Sequence, residues 1–232
     1  MGIMISKSQI KLITSLGIKK FRDREGMFVA EGEKLVRDLE PYFEKVLEIS
    51  DNEDIRKVSQ MTTPAGRIAV FRKREMAAEE GDNLMLALDS VQDPGNMGTI
   101  IRTADWFGVR NILCSRETAD VYGPKVVQST MGAIARVNVI YCDLEETLRE
   151  YGKRGWSVYG TFLEGRSIYE SKLPTSKAIV VMGNEGNGIS DKIKQLVTDK
   201  LLIPSFAEET SESLNVGIAT GIVLSEFRRN YR

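Results

Sequence analysis

AIVVMGNEGNGISDKIKQLV, residues 178–197, is the stretch on which the fold turns. An unbroken apolar run, AIVVM, enters the glycine-rich loop GNEGNG, and ISDKIKQLV continues as a helix. A short apolar run without alternation predicts a strand buried on both faces, as in a parallel sheet covered by helices. The loop after it raises a chemical question. Glycine-rich turns before helices present backbone N–H groups to an anion or other ligand. This one lacks the GK[ST] ending of a phosphate-binding loop, and its spacing differs from the dinucleotide GxGxxG pattern. Glu185 would disfavour a phosphate and suits a cationic or hydroxyl-bearing ligand better. Taken alone, the loop is equally consistent with a tight connection.

The same pattern recurs on either side. LMLAL (84–88), VRNILC (109–114), RVNVIY (136–141), WSVYGT (156–161) and KLLIP (200–204) also predict strands. Helical segments such as TIIRTADWF and LEETLREYGKR lie between most of them. The fold class is therefore α/β, with a mostly parallel sheet and helices on both faces. Upstream, FVAEGEKLVRDL predicts a short strand and helix, and KVLEIS and RIAVF two more strands. The charged stretch FRKREMAAEEGDN, residues 71–83, marks a boundary. It separates a small α/β domain, residues 1–75, from a larger one, residues 82–232.

Composition narrows the chemistry. The 232 residues include no histidine, which excludes a Ser-His-Asp triad, a Cys-His pair and any His-ligated metal site. Cys114 and Cys142 end strand-like runs without CxxC spacing and are expected to be small buried hydrophobes, so no metal is expected. Apolar runs are too short to span a bilayer, and the N-terminal lysines interleave with apolar residues, unlike a secretory signal. A cytoplasmic protein without membrane contact is expected. The net charge of −1 argues against a uniformly basic nucleic-acid binder but allows local patches. Lys7, Lys11, Lys19, Lys20, Arg22 and Arg24 form one, Arg72 to Arg74 another, and Arg228, Arg229 and Arg232 a third.

Ligands of open α/β sheets gather at the carboxyl ends of the strands. Three stretches occupy such ends. In LDSVQDPGNMGTIIRTADWFG (88–108), Asn96 is the expected helix N-cap, with Met97, Ile100, Ile101, Ala104 and Phe107 on one arc. Arg102 projects from nearly the opposite side, and Gly108 stops the helix. The second stretch is the loop around Glu185. In the third, LLIPSFAEETSESLNVGIATGIVLSEFRR (201–229), a helix begins near Ser213. Its small residues Gly217, Ala219 and Gly221 permit close packing on another element.

DPGNMGTIIRTA, VVMGNEGNGIS and IPSFAEETSESLNVGIATGI, in this order, resemble the three signature motifs of the SpoU (TrmH-like) RNA 2′-O-ribose methyltransferases of the SPOUT superfamily. GPKVVQSTMGAIARV (123–137) resembles the segment between the first two, so the likeness spans nearly all of residues 82–232. The first domain resembles more loosely the small RNA-binding domain often found ahead of that catalytic domain.

The resemblance implies a C-terminal trefoil knot that forms an S-adenosylmethionine site, and a homodimer with the active site at the subunit interface. It implies main-chain contacts to the cofactor from Gly183, Ile203 and Leu214, with Met182, Asn184 and Ser213 beside them. Arg102 matches the position held to be the key catalytic residue. A guanidinium is not deprotonated in proteins, so stabilising an alkoxide or holding a phosphate suits it better than acting as a base. Glu185 is expected to organise the site by pairing with the Asn or Arg of the other motifs. Asn96 and Asn215 would orient Arg102, Glu185 or the ribose. The expected substrate is ribosomal RNA, with transfer RNA the runner-up and a catalytically silent RNA-binding protein the alternative. The third motif departs from its relatives: Ser205 replaces a Met, a Gly is missing, and Glu208, Glu209 and Glu212 add negative charge.

Overall fold

The computed structural model describes residues 5–229 apart from 65, 79, 80, 82 and 208–212, and for Asn52 the backbone alone. Glu208, Glu209, Glu212 and Arg232, singled out above, lie outside the described residues. The chain divides into two compact units, one of residues 1–75 and 120–135, the other of residues 76–119 and 136–232. Residues 120–135, which the sequence grouped with the larger domain, thus pack with the first unit.

The first unit runs α1 (Lys7–Ser15), α2 (Lys19–Glu25), β1 (Met27–Glu31), α3 (Glu33–Leu39), β2 (Lys45–Ile49), α4 (Asn52–Val58) and β3 (Ile68–Arg72). Its three strands form an antiparallel sheet in the order β1-β3-β2. Four of the five β3 residues are buried because β3 is the central strand, whereas the edge strand β2 is mostly exposed. A capping box starts α1: the Ser6 hydroxyl accepts from the Gln9 N–H, and Gln9 Oε1 accepts from the Ser6 N–H. Ile13 and Leu16 then pack with Val29, Ile55, Ile68 and Val70.

The expected basic surface of this unit is only partly free: Arg22 is absorbed into packing, and several of the others are paired. Arg22 is only 4% exposed. Its Nε and Nη2 donate to Asp120 Oδ2 at 3.1 and 2.8 Å, and its Nη1 to Leu16 O at 2.8 Å. Arg22 is thus a structural cation rather than a free surface charge. Arg72 pairs with Glu44, Lys73 pairs with Asp23 and lies over the Tyr122 ring, and Arg74 lies over Phe43. Lys7, Lys11 and Lys20 stay exposed.

The chain continues through β4 (Leu84–Leu88), α5 (Pro94–Trp106), β5 (Asn111–Cys114), α6 (Pro124–Thr130), β6 (Asn138–Tyr141) and α7 (Leu144–Lys153). It ends with β7 (Ser157–Ser167), β8 (Ala178–Met182), α8 (Asp191–Lys194), β9 (Asp199–Leu202) and α9 (Val216–Arg228). All of these except α6 belong to the second unit, whose six strands lie in the order β6-β5-β4-β8-β7-β9. Every pairing among them is parallel. Every residue of the central strands β4 and β8 is buried, which is why their sequences are unbroken apolar runs. The edge strands β6 and β9 are mixed.

Local chemistry sets the helix ends. Asp93, not Asn96, caps α5: its Oδ1 accepts from the Asn96 N–H at 2.8 Å, and Pro94 occupies the first turn. Proline loses nothing there, because that N–H has no helical partner. Gly108, at φ 65°, ends the helix as expected. The helix expected from Ile189 onward is the single turn α8, and α9 starts at Val216 with Asn215 as its cap. The small residues of α9 meet α5: a Cβ on Gly217 would lie 3.0 Å from Thr99 Cγ2.

Candidate active site

Parallel pairing brings the strand ends together. Leu88 of β4 is in register with Met182 of β8, and Leu201 of β9 with Thr161 of β7. Met182 and Ile203 thus stand at the same end of the sheet, with β7 between β8 and β9. From the outer strand β9 the chain returns to the head of α5, because the Asn215 Nδ2 donates to Asn96 Oδ1 at 2.8 Å.

Asn96 passes that connection on. Its Nδ2 donates to Glu185 Oε1 at 3.0 Å. The Glu185 carboxylate also accepts the N–H groups of Gln92 at 3.2 Å and Asp93 at 3.1 Å. Three stretches far apart in sequence are therefore joined through Glu185, Asn96 and Asn215. The Asn215 Oδ1 meanwhile accepts from the Gly217 and Ile218 N–H groups at 2.9 and 3.3 Å, capping α9. One side chain starts the helix with its oxygen and aims at the site with its nitrogen.

Burial by itself would push the Glu185 carboxyl up. The Asn96 amide and the N–H groups of Glu185, Gln92 and Asp93 outweigh it and hold the carboxyl below its usual range. The group is an anion, and a poor proton acceptor, at neutral pH.

The loop carrying Glu185 is closed on itself. Asn184 and Gly188 exchange two backbone hydrogen bonds of 2.9 Å, and the Asn184 Oδ1 accepts the Gly186 and Asn187 N–H groups at 3.0 Å. Asn184 Nδ2 donates to Ser90 O at 2.7 Å, tying the loop to the end of β4. Asp89 Oδ2 takes the Ser190 N–H at 2.7 Å on the loop's far side. A Cβ on Gly183 would stand 2.3 Å from the Gly188 carbonyl carbon. Glycine at 183 is thus required by the turn itself, whatever occupies the site.

The remaining expected residues differ in exposure. Met182 is buried, Gly183, Asn184 and Ile203 are half-buried, and Ser213 and Leu214 are exposed just ahead of Asn215. Arg102 is exposed on α5, six residues beyond Asn96. That places it about 9 Å further along the helix axis, and among the described residues no hydrogen bond of the Asn96–Glu185 cluster reaches it. Asn96 holds Glu185 and Asn215 holds Asn96; neither holds Arg102. Two features escaped the sequence. Asp93 as the cap was signalled by the Asp-Pro pair, which favours a cap followed by a first-turn proline. Ser90 adopts φ 60°, and a serine gives no warning of that.

Comparison with known proteins gives a consistent outcome. Residues 83–225 match the SpoU rRNA Methylase family. Over 95% of this chain and 96% of its own length, a Bacillus subtilis (strain 168) protein is 29% identical; it is named 23S rRNA (guanosine(2553)-2′-O)-methyltransferase RlmP. Other curated relatives match over only 48% to 58% of their own length. Among solved structures, a TrmH-family RNA methyltransferase from Porphyromonas gingivalis, described as putative, superposes with a TM-score of 0.89 at 40% identity. That match covers 98% of this chain and 99% of the other. An AdoMet-bound rRNA methyltransferase from Sinorhizobium meliloti superposes with a TM-score of 0.87 at 28% identity, over 99% of this chain and 98% of the other.

Proposed function

We propose that this chain, which belongs to the SpoU rRNA Methylase family, transfers the methyl group of S-adenosylmethionine to a ribose 2′-hydroxyl of ribosomal RNA. The observation that carries the reading is the hydrogen-bonded line from Glu185 through Asn96 to Asn215, which unites the three strand-end stretches in one cluster. The full-length likeness to the Bacillus protein supports the substrate class, and the AdoMet-bound neighbour supports the cofactor.

The residues present fit that cofactor. Half-buried peptide groups at Gly183 and Ile203 and the exposed Leu214 offer main-chain contacts and apolar surface, with Met182, Asn184 and Ser213 beside them. The Glu185 anion suits a cationic ligand. When bound, S-adenosylmethionine supplies an electrophilic methyl group on a cationic sulfonium. Glu185 is held by three donors near 3 Å and serves as a fixed charge and scaffold. Arg102, exposed and outside the cluster, stabilises negative charge developing on the ribose 2′-oxygen or grips the adjoining phosphate. Asn96 and Asn215 keep the cluster in register. The 2′-hydroxyl proton leaves to solvent, since the chain has no histidine and the Glu185 carboxylate is a weak acceptor. Much of the rate then comes from positioning the acceptor oxygen in line.

The path from β9 past β7 and β8 to the Asn96 end of α5, beside the closed 183–190 loop, is what a trefoil knot of this segment requires. Trp106, Leu214 and Ile218 are 85%, 49% and 58% exposed on or next to α5 and α9, a surface suited to a homodimer that completes the site. The first unit contacts RNA through Lys7, Lys11 and Lys20. Among the described residues no helix is long and apolar enough to cross a membrane, and a cytoplasmic location suits an RNA substrate.

The test is methyl transfer from labelled S-adenosylmethionine to ribosomal and transfer RNA lacking the modification, followed by nucleoside analysis. The expected product is a 2′-O-methyl nucleoside in ribosomal RNA. Cofactor binding without transfer to either RNA overturns the catalytic reading.

A further inference from the structure

We infer that Ser115, supported by Thr118, is a positioning residue for the cofactor loop, acting through a strained turn at Ser90. The inference rests on the reading that residues 182–185 hold S-adenosylmethionine.

Ser90 follows the last residues of β4 and sits at φ 60°, a conformation costly for any residue with a Cβ. Such strain persists only where the surroundings over-determine it. The segment 115–119 supplies that constraint. Ser115 Oγ accepts the Ser90 N–H at 3.0 Å and lies 3.2 Å from Thr118 Oγ1, which donates to Leu88 O at 3.1 Å. Leu88 O is an acceptor only, so the hydroxyl protons run one way: Ser115 donates to Thr118, and Thr118 donates to Leu88. The Ser115 N–H also donates to Leu88 O at 3.0 Å, and the Ala119 N–H to Val91 O at 2.9 Å. Residues 88–91 are thus gripped on one side by a buried hydroxyl pair, Ser115 at 7% and Thr118 at 5% exposure.

The grip decides what the other side presents. With its N–H turned toward Ser115, Ser90 offers its carbonyl to Asn184 Nδ2 at 2.7 Å. Two and three residues further on, the Gln92 and Asp93 N–H groups reach Glu185. One turn therefore sets both the anchor of Asn184 and two of the three donors on Glu185. Among the described residues, neither Ser115 nor Thr118 bonds to any residue from 182 to 190, so their effect on the loop passes through Ser90.

The experiment is titration of the full chain with S-adenosylmethionine, together with single-turnover transfer at saturating cofactor. Ser115→Ala leaves the half-buried Ser90 N–H without its acceptor, and cofactor affinity should fall about tenfold while the saturated single-turnover rate falls less than about threefold. Ser115→Thr, which keeps the hydroxyl, should recover affinity. The double variant Ser115→Ala/Asn184→Ala should lose clearly less affinity than the sum of the two single losses, because both act on the Ser90–Asn184 anchor. Should Ser115→Ala unfold the chain, the near-isosteric Thr118→Val carries the same test, with Thr118→Ser as its rescue. Wild-type affinity in Ser115→Ala, or additive losses in the double variant, overturns the positioning role while leaving the cofactor site standing. Unchanged affinity in Asn184→Ala overturns the cofactor-loop reading, and the inference with it.

Discussion

The side-chain amide of Asn215 donates to the side-chain oxygen of Asn96 at 2.8 Å, across 119 positions of sequence. The same Asn215 caps α9 through its own oxygen. Its two jobs separate by substitution. Asn215→Ala removes both and should cost about 1 kcal/mol of stability, typical of a lost cap, along with most of the activity. Asn215→Asp keeps the cap but sets a carboxylate against the Asn96 oxygen. It should melt like the wild type and still lose activity. Denaturant unfolding and transfer assays run in parallel decide the matter; equal activity in Asn215→Asp would sink the link to Asn96.

Arg102 projects into solvent and is not joined to the Asn96–Glu185 line. Arg102→Ala should therefore change stability by no more than about 0.5 kcal/mol, as for other surface substitutions. Transfer should be abolished while cofactor affinity stays near wild type. Calorimetric titration beside a transfer assay checks both halves, and retained turnover removes the catalytic assignment.

The glycines of the 183–188 loop are not equivalent. A Cβ at Gly183 would meet the Gly188 backbone at 2.3 Å, whereas one at Gly186 would meet only Asn184 Oδ1 at 3.6 Å. Gly183→Ala should open the turn, lower the melting temperature and abolish cofactor binding. Gly186→Ala should do neither. Similar behaviour of the two variants in a melting and binding comparison argues against a tightly closed loop.

Glu185 gives a pH dependence of defined sign. Its folded carboxyl titrates below the ordinary value, so it contributes stability above the unfolded carboxyl's pKa, about 4.3. That contribution is lost as pH falls through the lowered folded value. The wild type should exceed Glu185→Gln in melting temperature at neutral pH by a margin that is flat down to the unfolded value and shrinks below it. A margin that grows in acid contradicts the depressed carboxyl.

In the first unit, burial separates a structural cation from the exposed ones proposed to meet RNA. The Arg22 and Asp120 side chains are 5% and 14% exposed, so Arg22→Ala strands a buried carboxylate and should cost about 3–5 kcal/mol. Lys20→Glu should leave stability alone and weaken RNA binding, with a shallower salt dependence. Urea unfolding and RNA titration at several salt concentrations tell them apart. RNA affinity unchanged by Lys20→Glu removes that lysine from the interface.

By itself the sequence determined the parallel character of the large sheet, because strands buried on both faces must be apolar throughout. AIVVM and LMLAL show this, and both strands fall at their expected residues. It also pointed to the three strand-end stretches that the fold brings together, since glycine, asparagine and glutamate cluster there after apolar strands. What only the tertiary structure decided was pairing. Nothing local distinguishes a buried Arg22 from an exposed Lys20, marks the left-handed turn at Ser90, or says that Asn96 faces Glu185 rather than Arg102. Local sequence sets backbone preference and burial period within a few residues. The direction of a side chain toward a partner 89 or 119 positions away is fixed by how strands register and helices cross, which exists only once the chain has folded.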